Sequence, residues 1–214
     1  MTDFERARST DQKEIRIDEV MCVAKDMLTT QSFESISMSS IAKELSFSRA
    51  NLYKYFDSKE EIFLTLLSRE MSSFCQSLHA KMCEIEPSPE TFANFWVSNM
   101  ASAHTMLTML SMTGTILEKN VSDDLLLSIK QEMAMTLQTQ TLPIFMDFFP
   151  DHSIEQNVML AEHLIIIANG LFPWTQLTEH QVRLLEDNDL GIMVHRFEED
   201  YRTMVDLIVR AHTS

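Results

Sequence analysis

Ser37-Met-Ser-Ser-Ile-Ala-Lys-Glu-Leu-Ser-Phe-Ser-Arg-Ala-Asn-Leu-Tyr-Lys-Tyr-Phe-Asp-Ser-Lys-Glu-Glu61 is the stretch that decides the fold. Ser37 is a natural N-cap, because its hydroxyl can accept from the free N–H groups of a first helical turn, and Met38–Leu45 then forms a helix of two turns. After Ser46 and Phe47, Ser48 caps a second short helix over Arg49–Tyr55. Ser58-Lys-Glu-Glu61 reads as a capping box that opens a third, longer helix. Two short helices joined by a tight turn form a helix-turn-helix, in which the first braces the second and the second meets base edges. Arg49 suits a bidentate contact with guanine and Asn51 one with adenine. Tyr53, Lys54, Tyr55 and Lys59 suit phosphates. Leu45, Phe47, Leu52 and Phe56 are the packing residues.

Upstream, Ile17, Val20, Ala24, Met27 and Leu28 give Lys13–Thr30 one apolar helical face. Residues 1–12 read as a polar arm. Downstream, the pattern predicts helices from about 59 to 85, 89 to 110 and 123 to 149 (kinked at Pro143), then 153 to 172 and 192 to 211. A short element near 115–119 and an irregular stretch over 175–191 complete the chain. The expected fold class is all-α, with about nine helices and no strand.

Composition agrees. Only 3 of 214 residues are Gly and 5 are Pro, against a turn-rich β protein, and Gly114, Gly170 and Gly191 stand too far apart for a phosphate-binding loop. Three cysteines set up no disulfide framework. The charged N-terminus is no signal peptide, and the longest uncharged stretch, 91–117, is interrupted by Thr, Ser, Asn and His. A cytoplasmic protein with no membrane association is expected. Net charge is −15, yet residues 1–59 hold 9 Lys/Arg and 10 Asp/Glu while 60–214 hold 8 and 22. The acidic excess lies outside the segment that would meet DNA.

The core Ile41-Ala42, Leu52-Tyr53, Tyr55-Phe56 and Ser58-Lys59-Glu60, with an apolar helix upstream, resembles the DNA-binding signature of the TetR family of transcriptional regulators over about residues 13–65. The resemblance implies an N-terminal three-helix helix-turn-helix domain, 13–58, and a larger helical ligand-binding and dimerisation domain, 59–214. It puts contacts with a double-stranded DNA operator at Ser37, Ser39, Ser48, Arg49, Ala50, Asn51, Tyr53, Lys54, Tyr55 and Lys59. It also implies a homodimer, which would read two half-sites roughly 34–36 Å apart. The family pattern has Gly where this chain has Ser46, and Gly ahead of the second helix, near Ser32. A non-Gly residue held left-handed costs roughly 1–2 kcal/mol, which predicts a slightly remodelled turn.

For the dimer interface, the helix from Ser153 offers the stripe Ile154, Val158, Ala161, Ile165 and Ala168, and the last helix offers Phe197, Tyr201, Val205 and Ile208. The competing reading is intramolecular core. A pocket for a small, lipophilic effector is expected among Trp96, Asn99, Met100, His104, Met133, Leu137, Phe145, Phe172 and Trp174, although for any one of them plain core is the stronger reading. Cys75, His79 and Cys83 share a helix face, but the two thiols lie about 12 Å apart along the axis, too far for one ion. No metal and no cofactor is expected. No His-Glu-x-x-His, no Glu three before a His and no nucleophile elbow occurs, so no catalytic residues are assigned. The expected function is a ligand-released repressor, with residues 60–70 coupling ligand to DNA. The alternatives are a ligand-independent DNA-binding protein and a small-molecule-binding protein or enzyme with a vestigial helix-turn-helix.

Overall fold

The computed structural model describes residues 3–82, 84–188 and 191–213, and among these it contains helices and no strand. Its α-helices are α1 (Asp3–Thr30), α2 (Met38–Glu44), α3 (Arg49–Leu52), α4 (Lys59–Met82), α5 (Pro89–Ser102), α6 (His104–Met112), α7 (Asp123–Thr136), α8 (Leu142–Phe148), α9 (Ile154–Leu171), α10 (Glu179–Asp187) and α11 (Phe197–Thr213). The chain forms two compact units, residues 1–70 with 112–131, and 71–111 with 132–214. The first unit runs on through Glu70 of α4, where Ile62, Phe63, Leu66 and Leu67 are buried and Phe63 meets Phe33 edge-on at 5.2 Å.

In the first unit, α1 begins at Asp3, so helix continues through the stretch expected as an arm. The segment is rich in Glu, Arg, Lys and Gln and has no breaker, which favours helix. Val20, Met21, Ala24 and Met27 form its buried face. Lys25 pairs with Glu70 and Arg69 with Asp18, tying α1 to α4. Ser58 caps α4 by accepting from Glu61 N–H, but the Glu61 carboxylate reaches back to Asp57 N–H rather than to Ser58. The Ser58 hydroxyl donates to the Asn120 carbonyl.

The second unit is organised around aromatic rings. Phe92 lies within 4.9–5.8 Å of Trp96, Phe145, Phe148 and Phe149. Helix α11 packs on α5 and α9, and α9 also packs on α8. The predicted helix 89–110 is two helices, broken at Ala103 (φ −92°, ψ 42°). No Gly or Pro marks the break. Instead the Ser102 hydroxyl bonds the Asn99 carbonyl, offering the backbone a local alternative to the next turn. Pro143 does not simply kink its helix. A π-turn, Leu137–Thr141, precedes it and absorbs the proline's missing donor. Helix α10 occupies the stretch expected to be irregular, and its Thr178–Gln181 capping box was present in the sequence. The last helix starts at Phe197, not 192, where the Asp200 carboxylate accepts from Arg196 N–H.

Helix α9 with the turn after it, 154–175, is long and apolar enough by composition to cross a membrane, with mean hydropathy 1.3. A third of its most apolar 18-residue stretch is buried inside the protein, and the polar Asn157 of the same helix is fully enclosed.

Candidate nucleic-acid interface and ligand cavity

The α2–turn–α3 backbone is set by its end caps. The Ser37 hydroxyl accepts from Ser40 N–H and the Ser40 hydroxyl from Ser37 N–H. At the other end, Phe47 N–H donates to the Ala42 carbonyl (2.8 Å) and Ser46 N–H to the Lys43 carbonyl (3.1 Å), a Schellman closure. That closure requires a left-handed residue at Ser46, whose φ is 55°. The turn is therefore not remodelled; serine adopts the conformation that glycine favours. Ser32 needs no glycine, since its φ is −70°. Ser46→Gly is expected to raise stability by about 0.5–1 kcal/mol, the relieved strain being partly offset by glycine's greater freedom when unfolded. Thermal denaturation would show it, and an unchanged or lower midpoint would contradict it.

Ser48 caps α3 by accepting from Asn51 N–H at 3.2 Å. The regular helix is shorter than the predicted Arg49–Tyr55. It ends at Leu52, and residues 53–56 continue as tight turns with Lys54 N–H on Asn51 and Tyr55 N–H on Leu52. Leu52 and Phe56 are buried, while Leu45 and Phe47 are half-buried. Ser39, Ser48, Arg49, Ala50, Tyr53 and Lys54 are exposed on one continuous segment, with Asn51 and Tyr55 half-buried. The Arg49 guanidinium lies 5.4 Å from the Tyr53 ring centre and donates to its hydroxyl.

Lys59 differs from expectation. Its ammonium donates to the carbonyls of Phe33 and Ile36, both at 2.8 Å, and sits 4.1 Å above the Phe33 ring. It clamps the α1–α2 connection to α4 instead of facing phosphate. Lys59→Gln is expected to lower stability by about 1–2 kcal/mol. The salt slope of DNA binding should stay unchanged, whereas a phosphate contact would reduce it by about one. Lys13 and Arg16 of α1, which the sequence reading passed over, line a groove with Lys54 and Tyr55. Only the tertiary approach of α1 to the turn after α3 brings them there, so spacing carried no signal for them.

In the second unit, an apolar cavity of about 210 Å³ opens between the π-turn region and α9. Ala134, Leu137, Thr141, Leu142, Val158, Ala161 and Ile165 form its walls, and Gln138 and Glu162 its polar groups. Behind it lies a smaller chamber of about 30 Å³, lined by Phe74, Cys75, Trp96, Met100 and Met106 among others. Leu137, Thr141 and Ile165 line both. Of the residues expected at a pocket, Trp96, Met100 and Leu137 are brought together here. The rest are elsewhere. Phe145 is enclosed in the aromatic cluster, and Phe172 packs on His104 and Phe197. Asn99 is buried and accepts from Lys81, Met133 and His104 do not line either cavity, and Trp174 is 70% exposed. The sequence reading missed Ile165 and Thr141 as lining residues. Cys75 shares a hydrogen bond with the Thr141 hydroxyl, and burial pushes its thiol pKa up. His79 bonds the Gln140 carbonyl, and Cys83 lies outside the described residues. No cluster of three metal-ligating side chains occurs among the described residues.

The interface stripes also need correction. Phe197, Tyr201, Val205, Ala161 and Ala168 are buried within the chain's own core, and Ile165 and Ile208 are half-buried. Tyr201 is fully enclosed, donating to the Leu164 carbonyl and accepting from the Trp96 indole. Ile154 and Val158 are exposed, together with Met159 and Ile166 on α9 and Met204 and Leu207 on α11.

Comparison with known proteins places this architecture. Two solved structures resemble it at 16% identity. The fatty acid degradation regulator FadR from Bacillus halodurans aligns with TM-score 0.57 over 91% of this chain and 94% of its own. Thermus thermophilus FadR, a TetR-family repressor in complex with lauroyl-CoA, aligns with TM-score 0.55 over 84% and 96%. An uncharacterised helix-turn-helix-type transcriptional regulator of Mycobacterium tuberculosis, found in two strains, is 34% identical over 84 residues, 39% of this chain; the match spans 40% of that relative's length. The description "Bacterial regulatory proteins, tetR family" matches residues 21–66, which carry the capped α2–turn–α3 unit, and "Tetracyclin repressor-like, C-terminal domain" matches 68–210, which carry the cavities. The chain therefore belongs to the TetR family of bacterial regulatory proteins.

Proposed function

We propose that this protein is a homodimeric, non-catalytic transcriptional repressor that acts in the cytoplasm and leaves a palindromic operator when a small lipophilic ligand binds. Residues 13–58 serve as the DNA-binding domain and 59–214 as the ligand-binding and dimerisation domain. The observation that carries this reading is the exposed row Arg49, Ala50, Tyr53 and Lys54 on a helix-turn-helix whose caps and clamps are internally satisfied. Ser39, Ser48, Asn51 and Tyr55 flank that row. Lys59 is withdrawn from the contact set, and Lys13 and Arg16 join it. The apolar cavity beside the π-turn supports a lipophilic ligand, as does the lauroyl-CoA held by the Thermus protein. Any ligand acts only through a difference in affinity between two states, and the continuous α4, which starts in the first unit and ends in the second, is the proposed carrier through residues 60–70.

The dimer seam is proposed on Ile154, Met159 and Ile166 of α9 and Met204 and Leu207 of α11, with Val158, which also lines the cavity, at its edge; all six are apolar side chains their own chain leaves open. Leu207→Lys is expected to raise the dimer dissociation constant at least about tenfold by placing a charge in that face. Sedimentation across a concentration series reads it, and an unaltered dimer would remove α11 from the seam. The functional test is fluorescence anisotropy on DNA flanking the protein's own gene against a scrambled duplex, across a salt series. Selective, salt-dependent binding is expected. Equal, weak binding to both duplexes on every flanking fragment would overturn the reading.

A further inference from the structure

The cavity's charge says more about its occupant than its shape does. Among the described residues that line it, Glu162 is the one charged side chain, and neither Lys nor Arg is present. Glu162 is exposed at the rim and, among the described residues, forms no ion pair. The whole second unit holds five Lys/Arg against sixteen Asp/Glu. Four of the five are occupied away from the cavity. Lys81 donates to Asn99, Arg183 to the Glu179 carbonyl, Arg196 pairs with Glu199 and Arg202 with Glu198. A carboxylate or phosphate headgroup at this mouth would meet Glu162 with no counter-charge in the lining, on a unit of net negative charge. A positive headgroup would meet a free carboxylate. Behind the mouth, the walls are aliphatic, and Leu137 and Ile165 are shared with the small chamber that Trp96 and Met100 line, so a tail in the cavity of about 210 Å³ lies against the wall of that chamber.

We infer that the effector of this site is a single-tailed amphiphile with a cationic headgroup, held by Glu162 at the rim with its tail between the π-turn and α9. The inference rests on the regulator reading above, and its test separates the two.

The experiment titrates full-length protein with decyltrimethylammonium, decanol, decanoate and decanoyl-CoA below their micellar concentrations. In a Trp174→Phe background, Trp96 is the sole tryptophan and borders the inner chamber, so its emission reports tail entry. Decyltrimethylammonium is expected to bind about tenfold tighter than decanol, with decanoate and decanoyl-CoA weakest. Glu162→Gln should abolish the preference for the cation while leaving decanol affinity unchanged. Glu186→Gln, an exposed carboxylate of α10, should leave the preference intact. Three results overturn the inference: decanoate or decanoyl-CoA binding tightest, an equal loss in Glu186→Gln, or no binding by any probe. Salt-dependent operator binding by the same preparations is read in parallel. If it persists while the cation preference is absent, only the ligand class fails; if it is absent, the regulator reading fails.

Discussion

Arg49→Ala is expected to weaken binding to the selected operator by about 30-fold or more and to leave the fold intact. A bidentate arginine–guanine contact is worth about 1–3 kcal/mol of discrimination, and a dimer loses it in both half-sites. The side chain is exposed, and its recorded partner is Tyr53, one turn along the same segment. An exposed cation–π contact contributes only about 0.5–1 kcal/mol, so arginine can leave the ring for a base at small cost. Anisotropy on operator and scrambled duplexes distinguishes the roles. A base-reading arginine loses selectivity when removed, because the scrambled duplex is hardly affected. Equal weakening on both duplexes would make Arg49 a phosphate contact, and no change on either would remove it from the interface.

Tyr201→Phe is expected to lower stability by about 1–3 kcal/mol, and Tyr201→Ala by about 3–5 kcal/mol. The phenol oxygen is the acceptor for the Trp96 indole N–H (2.8 Å) and the donor to the Leu164 carbonyl (2.9 Å), and Trp96 and Tyr201 are both essentially inaccessible. Phenylalanine keeps the ring stacked on Phe197 at 5.0 Å but leaves the indole N–H unpaired where water does not reach. Burial pushes the tyrosine pKa up, with the Trp96 donor opposing, so the hydroxyl stays protonated and the Leu164 bond is kept across the neutral range. Urea denaturation monitored by circular dichroism measures the loss. A Phe variant as stable as the parent would mean that the pair positions α11 on α5 without contributing net stability.

Where a helix begins was legible at most of the side chains that announce it, the start of α10 at Thr178 being the exception. Ser37, Ser48, Ser58, Ser88 and Ser153 each cap the helix that the sequence reading started there. These signals act within four residues, so the sequence holds them whole. The break at Ala103 was not legible, because no breaker residue marks it. The turn at Ser46 was legible as a departure, yet its outcome was not. Whether the backbone yields or serine accepts φ 55° depends on the Schellman bonds and on burial of Ala42 and Phe56 around it.

The roles of single side chains divide the same way. The sequence by itself determined the all-helical architecture and the helix-turn-helix, since these follow from caps, apolar periodicity and local spacing. Tertiary structure decided that Lys59 clamps two carbonyls twenty-odd residues upstream, that Tyr201 belongs to the core, and that Leu137, Thr141 and Ile165 share a cavity. A helical stripe shows that a face is apolar, but a chain-internal neighbour and a second subunit satisfy that face by the same burial of area. Only the three-dimensional packing of α5, α9 and α11 shows which stripe is already covered and which is left for a partner.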